Sequence, residues 1–494
     1  MANARLLFSL ASLTVFMGLS TGCPRPDDVI EDPISIGHQP TDPKLVALSA
    51  DLSAATLRPG QANEFFARVR IDASAMPGAD RPPVNLALAL DVSGSMQGDA
   101  MDAARESALD LLDALEDGDR FSLVTFGGKV ELAFPTQPLD ERSRQSARIA
   151  IERIEAGGTT EMLGGLGLAL SQAQGGHNPE GVNRVVLLSD GVPNQIQGVA
   201  ELGDQAAASG ITITSLGLGL EFDEQLLTQL SQRSGGRYHY VEDSREVREV
   251  FARELLQMRR VVARNLALTM QPGPGVEILG VLGHSPTAAV RGVQVSLGEL
   301  ADDESRELVL RLRTSPHRDG ARAELLDLTL SFEDVAAGAG YLTRDAFISV
   351  GVGEELGEPE VAAAFAVEVA GEQAHASAAI LEVTAIAASG QYAQALARLE
   401  AAESRAREAA KRLGDEGLQA RVDDMKKLRE SWEKAQPSVA IAVELPGQGA
   451  RVDSDALEPT PNPGGGGSSR APRFAPPPPA QMRREHAKAV EALR

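Results

Sequence analysis

The feature that most constrains the fold is a regular alternation of short apolar segments with longer amphipathic ones between residues 84 and 261. Apolar strands are expected at residues 84–90, 120–126, 184–189, 211–218 and 238–241, with a polar hairpin partner near 129–133. The intervening stretches repeat apolar residues at helical spacing. Alternation of this kind predicts an α/β fold with a doubly wound, mostly parallel sheet and helices on both faces. We place this domain at residues 81–262.

Polar side chains follow two of these strands where each one ends. The first strand runs into Asp91-Val-Ser93-Gly-Ser95-Met, and the strand at 184–189 runs into Asp190-Gly191. In open α/β sheets, ligands bind outside the carboxyl ends of the strands. The sequence therefore predicts that these side chains form a site at one edge of the sheet.

The segments that flank the α/β region predict further domains. Residues 263–353 alternate short strands with polar turns, which predicts an antiparallel, sandwich-like β domain. Residues 44–80 contain two more strands, which can belong to that β domain and would then make the α/β domain an insertion. Residues 359–436 predict a helical hairpin with a break at Gly390, and residues 437–494 form a low-complexity tail rich in glycine and proline, with one strand at 438–445 and a short polar helix at 481–494.

The N-terminus has the pattern of a secretory signal. Residues 1–22 combine a basic start, an apolar run and small residues before Cys23, the only cysteine of the chain. The ending Leu-Ser-Thr-Gly-Cys resembles a bacterial lipobox, although its leucine lies four residues before the cysteine. The resemblance implies lipid attachment at Cys23 and a cell-envelope location, periplasmic or surface-exposed. The alternative is a secreted protein. Residues 23–43, rich in proline and aspartate, predict a tether.

The formal charge of −23 disfavours nonspecific binding to nucleic acid or to anionic lipid. The motifs of a nucleophile elbow and of a phosphate-binding loop are absent. The oxygen-rich groups at the strand ends instead suit a hard divalent cation, because Mg²⁺ and Ca²⁺ prefer oxygen ligands. Asp91, Ser93 and Ser95 supply three such groups, Thr159 follows a glycine pair before a predicted helix, and Asp190 ends another strand.

In this order and context, these five residues resemble the metal-ion-dependent adhesion site of the von Willebrand factor type A domain. The resemblance implies that Ser93 and Ser95 contact the metal through hydroxyl oxygens and that Thr159 binds it directly or through water. It also implies that Asp91 and Asp190 hold metal-bound waters and orient the serines. Thr160 is the less favoured threonine, because the family's ligand directly follows the glycines. The ion is expected to be Mg²⁺, with Mn²⁺ or Ca²⁺ as alternatives.

The resemblance also implies a function in protein binding. In the family, a carboxylate of the partner protein completes the coordination of the metal. With its flanking segments, the chain is similar to bacterial secreted or lipid-anchored members, so we expect adhesion or assembly of an envelope complex and no enzyme activity. Two alternatives stay open: a structural envelope protein with an empty or merely stabilising site, and a metal-assisted hydrolase with Glu161 as the nearest acidic group.

Overall fold

The computed structural model describes residues 42, 44–76, 81–353, 358–435 and 480–493. The first elements are two antiparallel strands, β1 (Val46–Leu52) and β2 (Asn63–Ala73). They precede the α/β region and pair with a strand that follows it, as described below.

The α/β region contains a six-stranded sheet. Its strands in chain order are β3 (Val84–Asp91), β4 (Arg120–Phe126), β5 (Val130–Pro138), β6 (Val182–Ser189), β7 (Thr212–Leu218) and β8 (Tyr238–Val241). Their spatial order is β5-β4-β3-β6-β7-β8, and every neighbouring pair is parallel except β4 and β5. The predicted doubly wound, mostly parallel sheet is confirmed.

Helices cover both faces of this sheet. They are α1 (Asp99–Ala114), α2 (Glu141–Glu152), α3 (Met162–Gly175), α4 (Val199–Ala208), α5 (Glu224–Ser234) and α6 (Val247–Met258). All eight residues of β3 are buried, and successive side chains point to opposite faces. Leu86, Leu88 and Leu90 therefore enter the core beneath α1, α2 and α6, whereas Ala87 and Ala89 enter the core beneath α3, α4 and α5. This burial leaves only the polar tip of β3 available for a site.

The β region consists of two antiparallel sheets. Its strands are β9 (Val261–Pro272), β10 (Val276–Val281), β11 (Thr287–Ala288), β12 (Val293–Ala301), β13 (Ser305–Thr314), β14 (Arg322–Asp334) and β15 (Gly340–Gly351). One sheet has the order β1-β2-β13-β10, and the other β11-β12-β9-β14-β15. Since β2 pairs with β13 along its whole length, the β region is built from strands on both sides of the α/β region, which is an insertion within it.

The junction between the two regions is buried and charged. Val261 packs in a core of the α/β region, and the next residue, Val262, packs in the core of the β region. The Arg184 guanidinium on β6 forms ion pairs with Glu254 of α6 and with Glu299 of β12. Removing one partner of such a network would leave a buried charge uncompensated, so the pairs hold the two regions in one arrangement.

The C-terminal helical part differs from the predicted hairpin, because it contains three helices: α7 (Glu358–Ala388), α8 (Tyr392–Leu413) and α9 (Glu416–Ala435). The break at Gly390 occurs where the sequence predicts it. A second break occurs at Gly414, which has a φ of +66° that suits glycine at a helix end. Asp415 then caps the next helix by accepting a hydrogen bond from the Leu418 backbone nitrogen at 2.7 Å.

The tail prediction for 437–494 also needs correction. Residues Ala480–Glu491 form a helix, α10, whose side chains Met482, His486 and Val490 are buried. This helix packs against α7, α9 and β8. The sequence predicted this short helix but placed it in a flexible tail, and that placement was wrong. The helix packs on the rest of the chain because an apolar stripe lies among its many charged residues.

Several predicted features lie outside the described residues: the signal at 1–22, Cys23, nearly all of the tether at 23–43, the strand at 438–445 and the glycine- and proline-rich part of the tail. Within the described part of the chain, no helix combines the length and the apolar character needed to cross a membrane.

Candidate metal site at the carboxyl edge of the central sheet

The two central strands bring the predicted carboxylates to one edge of the sheet. β3 and β6 pair in parallel with Leu90 opposite Leu188, so Asp91 and Ser189 lie at neighbouring strand ends. Asp190 follows directly after β6. The parallel pairing of the two strands therefore brings these groups to the same edge of the sheet, as expected.

Asp91 is fully buried, and both of its carboxylate oxygens accept hydrogen bonds. Oδ1 accepts from the Ser93 backbone nitrogen at 2.8 Å, and Oδ2 accepts from Ser189 Oγ at 2.5 Å. The first bond folds the loop after β3 back on itself, and the second joins that loop to the end of β6. Asp91 therefore braces the site from inside.

The two serine hydroxyls extend this network towards the surface. Ser93 Oγ and Ser95 Oγ lie 3.0 Å apart, and Ser95 Oγ donates to Asp190 Oδ1 at 2.7 Å. Ser93 is buried, whereas Ser95 is exposed. The predicted residues Asp91, Ser93, Ser95 and Asp190 thus form one continuous set of oxygen groups from the sheet interior to the surface.

The threonine that joins this set is Thr160 and not Thr159. A carbon placed at the Cβ position of Gly191 would lie 2.9 Å from Thr160 Oγ1, 3.7 Å from Ser95 Oγ and 3.8 Å from Ser93 Oγ. Three hydroxyl oxygens therefore surround one small space beside Gly191, which the missing side chain of this glycine leaves open. The sequence analysis favoured Thr159 as the metal ligand, whereas the structure places the Thr160 hydroxyl beside the two serines.

Thr159 is exposed and has another partner. Asn194 Nδ2 donates to Thr159 Oγ1 at 3.0 Å and to Glu161 Oε1 at 2.8 Å, while the Asn194 backbone nitrogen donates to the Thr160 carbonyl at 3.0 Å. The loop after β6 is thereby tied to the threonine segment. Sequence reasoning missed both Asn194 and Gly191, because only the three-dimensional approach of the two loops reveals their roles.

The predicted glycine pair allows this close approach of backbones. Gly158 has a φ of +91°, and a Cβ there would lie only 2.5 Å from the Gly128 backbone nitrogen. The Gly158 carbonyl also accepts from the Gly94 nitrogen at 3.0 Å, and Gly157 donates to the Val92 carbonyl at 2.6 Å. The glycines therefore fasten the threonine segment to the loop after β3, which turns Thr160 into the hydroxyl cluster.

The family model for the von Willebrand factor type A domain matches residues 85–253, a range that contains the sheet from β3 to β8 and the complete hydroxyl cluster. Residues 85–253 form a von Willebrand factor type A domain. The β and helical regions lie outside this match.

Sequence similarity to known proteins extends beyond the type A domain. The protein sll0103 of Synechocystis is 28% identical over 290 residues, which cover 56% of this chain and 68% of that protein. The Escherichia coli protein YfbK is 28% identical over 226 residues, and the match covers 44% of this chain but only 39% of YfbK. A solved structure described as von Willebrand factor type A from Catenulispora acidiphila is 22% identical, has a TM-score of 0.59 and covers 78% of this chain and 89% of its own, which shows a shared fold.

Burial destabilises the ionised forms of the two carboxylates at the type A domain site. Burial, the largest cause, raises the pKa of Asp190 to about 6; the nearby charges of Asp91 and Glu221 raise it further, and the Ser95 hydrogen bond opposes the shift. Burial also raises the pKa of Asp91, against the hydrogen bonds from Ser189 and Ser93. A cation in this place would stabilise both ionised carboxylates.

The donor set of the type A domain fits a hard divalent cation. Three hydroxyls and two carboxylates offer only oxygen atoms, which are the ligands that Mg²⁺ and Ca²⁺ prefer. Among the described residues, no group of three or more histidine, cysteine, aspartate or glutamate side chains could hold a metal. A cation at this site would therefore depend on the hydroxyls, and it would keep much of its positive charge.

A cleft of about 300 Å³ opens next to this cluster. Its lining includes Ser95 and Asp190 on one side and the loop that follows β7, with Leu220 and Glu221, on the other. Glu242, directly after β8, also lines it. Three exposed apolar side chains, Val192, Ile196 and Leu220, occur on the loops after β6 and β7. A protein segment that entered this cleft would contact the polar cluster and apolar surface together.

The raised pKa of Asp190 predicts a pH dependence of stability in the presence of a chelator. Because the pKa in the folded chain (about 6) exceeds the usual value of 3.8, the folded state binds this proton more tightly than the unfolded state. The stabilising effect of the proton is present below pH 4 and is lost as the pH rises to about 6. Chemical denaturation of wild type and of the Asp190→Asn variant should show that wild type loses stability relative to the variant across this window. A constant difference from pH 4 to pH 7 would contradict the assignment.

Proposed function

We propose that this chain binds a divalent cation at the type A domain site and, through it, an acidic side chain of a protein partner. The observation that carries the proposal is the convergence of Ser93, Ser95 and Thr160 hydroxyl oxygens on the space beside Gly191, with Asp190 bonded to Ser95. Type A domains are commonly metal-binding modules of protein interaction, which agrees with this donor set.

In this proposal, the hydroxyls of Ser93, Ser95 and Thr160 hold the ion, and Asp91 and Asp190 orient them and compensate its charge. The oxygen donors suit a hard divalent cation, for which Mg²⁺ is the expected ion and Mn²⁺ or Ca²⁺ the alternatives. The bound ion supplies a Lewis-acidic position that attracts a carboxylate oxygen. Among the described residues, Asp91 and Asp190 are the carboxylates bonded into this cluster, so a bound ion would keep positive charge that favours an acidic group from outside.

A binding function is favoured over metal-assisted hydrolysis by the environment of Glu161, the nearest acidic group considered as a general base. The Glu161 carboxylate accepts a hydrogen bond from Asn194, which also donates to Thr159 and is joined through its backbone to Thr160. These contacts give Glu161 a role in bracing the loop after β6.

The two neighbouring threonines give a matched test of the metal site. We expect Thr160→Ala to weaken Mg²⁺ or Mn²⁺ binding about tenfold or more, since the loss of one charge-assisted contact costs about 1.5–3 kcal/mol. Thr159→Ala should change the dissociation constant less than twofold, because its hydroxyl contacts Asn194. Isothermal titration calorimetry of the chain with both variants measures this.

Two outcomes of this titration would count against the proposal. If wild type takes up no divalent ion, the metal site is wrong. If Thr159→Ala weakens binding and Thr160→Ala does not, the hydroxyl cluster beside Gly191 is not the site.

The partner should be retained only when the metal is present. Wild type immobilised in Mg²⁺ should capture a protein from envelope extract, and both EDTA and the Thr160→Ala substitution should abolish the capture, because each removes the ion that binds the carboxylate. The Thr159→Ala variant serves as the control and should capture normally. A partner that is retained equally with EDTA would rule out metal-mediated adhesion and favour a structural role.

We further propose that Cys23 carries a lipid and that the chain is anchored to a bacterial membrane. The support is the apolar run of residues 6–19 followed by Ser-Thr-Gly-Cys, with the only cysteine of the chain at this point. Metabolic labelling with a clickable fatty acid should label wild type but not the Cys23→Ala variant. Equal labelling of both, or of neither, would contradict the anchor.

A further inference from the structure

The C-terminal helix α10 reaches the rim of the candidate metal site through two consecutive arginines. Arg483 Nη2 donates to the carbonyl oxygens of Leu220 at 2.7 Å and Phe222 at 2.9 Å, and its guanidinium lies 4.2 Å from the centre of the Phe222 ring. Arg483 is 1% exposed, which makes it the largest fully buried side chain among the described residues. It holds the loop that follows β7, and Leu220 and Glu221 of this loop line the cleft beside Ser95 and Asp190.

The second arginine binds the other wall of the same cleft. Arg484 Nε donates to Glu242 Oε2 at 2.6 Å, and Arg484 also contacts the other oxygen of this carboxylate. Glu242 lines the cleft together with Asp190 and Glu221. The docked helix therefore places the Arg484 charge at the rim, where it neutralises one carboxylate, and buries the Arg483 charge beneath the loop that lines the cleft.

The remaining contacts show how α10 is held. His486 lies between two hydroxyls, with its Nδ1 2.8 Å from Thr384 Oγ1 of α7 and its Nε2 3.3 Å from Thr228 Oγ1 of α5. Met482 and Ala489 pack in the core formed with α7, α8 and α9. The helix thus docks through its own side chains, and the 436–479 segment joins it covalently to α9. A tethered element with its own interface can detach and return while the rest of the chain stays folded.

We propose that α10 is a releasable latch that opposes cation binding at the type A domain site, a role that rests on the proposed function. Undocking removes the Arg484 guanidinium from the rim, withdraws the buried Arg483 guanidinium from the loop that follows β7 and frees the Glu242 carboxylate, so a divalent ion binds the undocked form more tightly. Coupling between two binding events is reciprocal, and cation binding therefore favours release of α10 by the same factor. Loading of the metal site would in this way weaken the docking of α10 and more often expose the groove on α5, α7 and β8 that it occupies.

Two exposed arginines, one on α10 and one on β13, provide a matched test in the full chain. Arg484 pairs with Glu242 at the rim, whereas Arg313 on β13 pairs with Glu64 away from the cleft, and the two arginine side chains are 55% and 45% exposed. We expect Arg484→Ala to tighten the Mn²⁺ dissociation constant about threefold at low salt, the size expected for removing one unit charge near a divalent ion in water. Arg313→Ala should leave it unchanged, and the effect of Arg484→Ala should disappear at about 0.5 M salt because of screening.

Hydrogen exchange measures directly how firmly α10 is docked. Arg483→Ala should speed exchange in residues 480–493 and in the loop at 218–222, and it should also tighten Mn²⁺ binding. In wild type, saturating Mn²⁺ should speed exchange in residues 480–493. A chain that ends at residue 479 should bind Mn²⁺ at least as tightly as Arg484→Ala, which covers the case in which Arg483→Ala disturbs folding.

The outcomes separate the two proposals. If wild type binds Mn²⁺ but the truncated chain has the same dissociation constant, the latch is wrong and the metal site stands. Equal effects of Arg484→Ala and Arg313→Ala would show only a general charge effect and would also reject the latch. If wild type binds no Mn²⁺ at all, the proposed function fails, and the coupling fails with it.

Discussion

The site depends on the buried carboxylate of Asp91. Burying a charged group without partners is costly, and Asp91 meets this cost with a hydrogen bond from the Ser93 backbone on one side and from the Ser189 hydroxyl on the other. These two bonds join the ends of the two central strands and fold the following loop so that Ser93 and Ser95 come within 3.0 Å of each other. Without this brace, the loop that carries the serine hydroxyls would lose its bond to the end of β6 and would depend on its bonds to Gly157, Gly158 and Asp190.

Glycines determine how the remaining groups meet. Gly158 lets the threonine segment approach the Gly128 backbone, and Gly191 leaves open the space that Thr160, Ser93 and Ser95 surround. The result is a cluster in which neutral hydroxyls outnumber carboxylates. In the account proposed above, this balance leaves a bound cation with enough positive charge to attract an acidic group of another protein. The same balance would make the cation sensitive to nearby charges such as those of α10.

The sequence predicted the α/β sheet because the burial of β3 and β6 on both faces requires continuous apolar runs, and these runs are visible in the chain. It also predicted which strand ends carry the polar groups, since parallel strands bring their carboxyl ends to one edge. The choice between Thr159 and Thr160 depended on which of two adjacent side chains turns inward. That orientation depends on contacts from Gly128 and Asn194, residues distant in sequence, so the position after the glycine pair could not show which threonine hydroxyl lies beside the serines.

The C-terminal part was harder to predict for a similar reason. Gly414 ends one helix and Asp415 begins the next, but a single glycine in an alanine-rich segment gave little sign of a third helix. The helix α10 is rich in charged residues, and its burial depends on partners that accept those charges, namely the Leu220 and Phe222 carbonyls and Glu242. Only the tertiary arrangement supplies these partners, and it gives the tail a position beside the site.

The most direct test of the central claim is a crystal structure of the chain grown with Mn²⁺, with anomalous diffraction recorded near the manganese absorption edge. The account predicts an anomalous peak beside Gly191, with the Ser93, Ser95 and Thr160 hydroxyl oxygens as the nearest protein atoms. A saturating Mn²⁺ concentration that gives no peak there, or a peak that contacts Thr159 in place of Thr160, would contradict it.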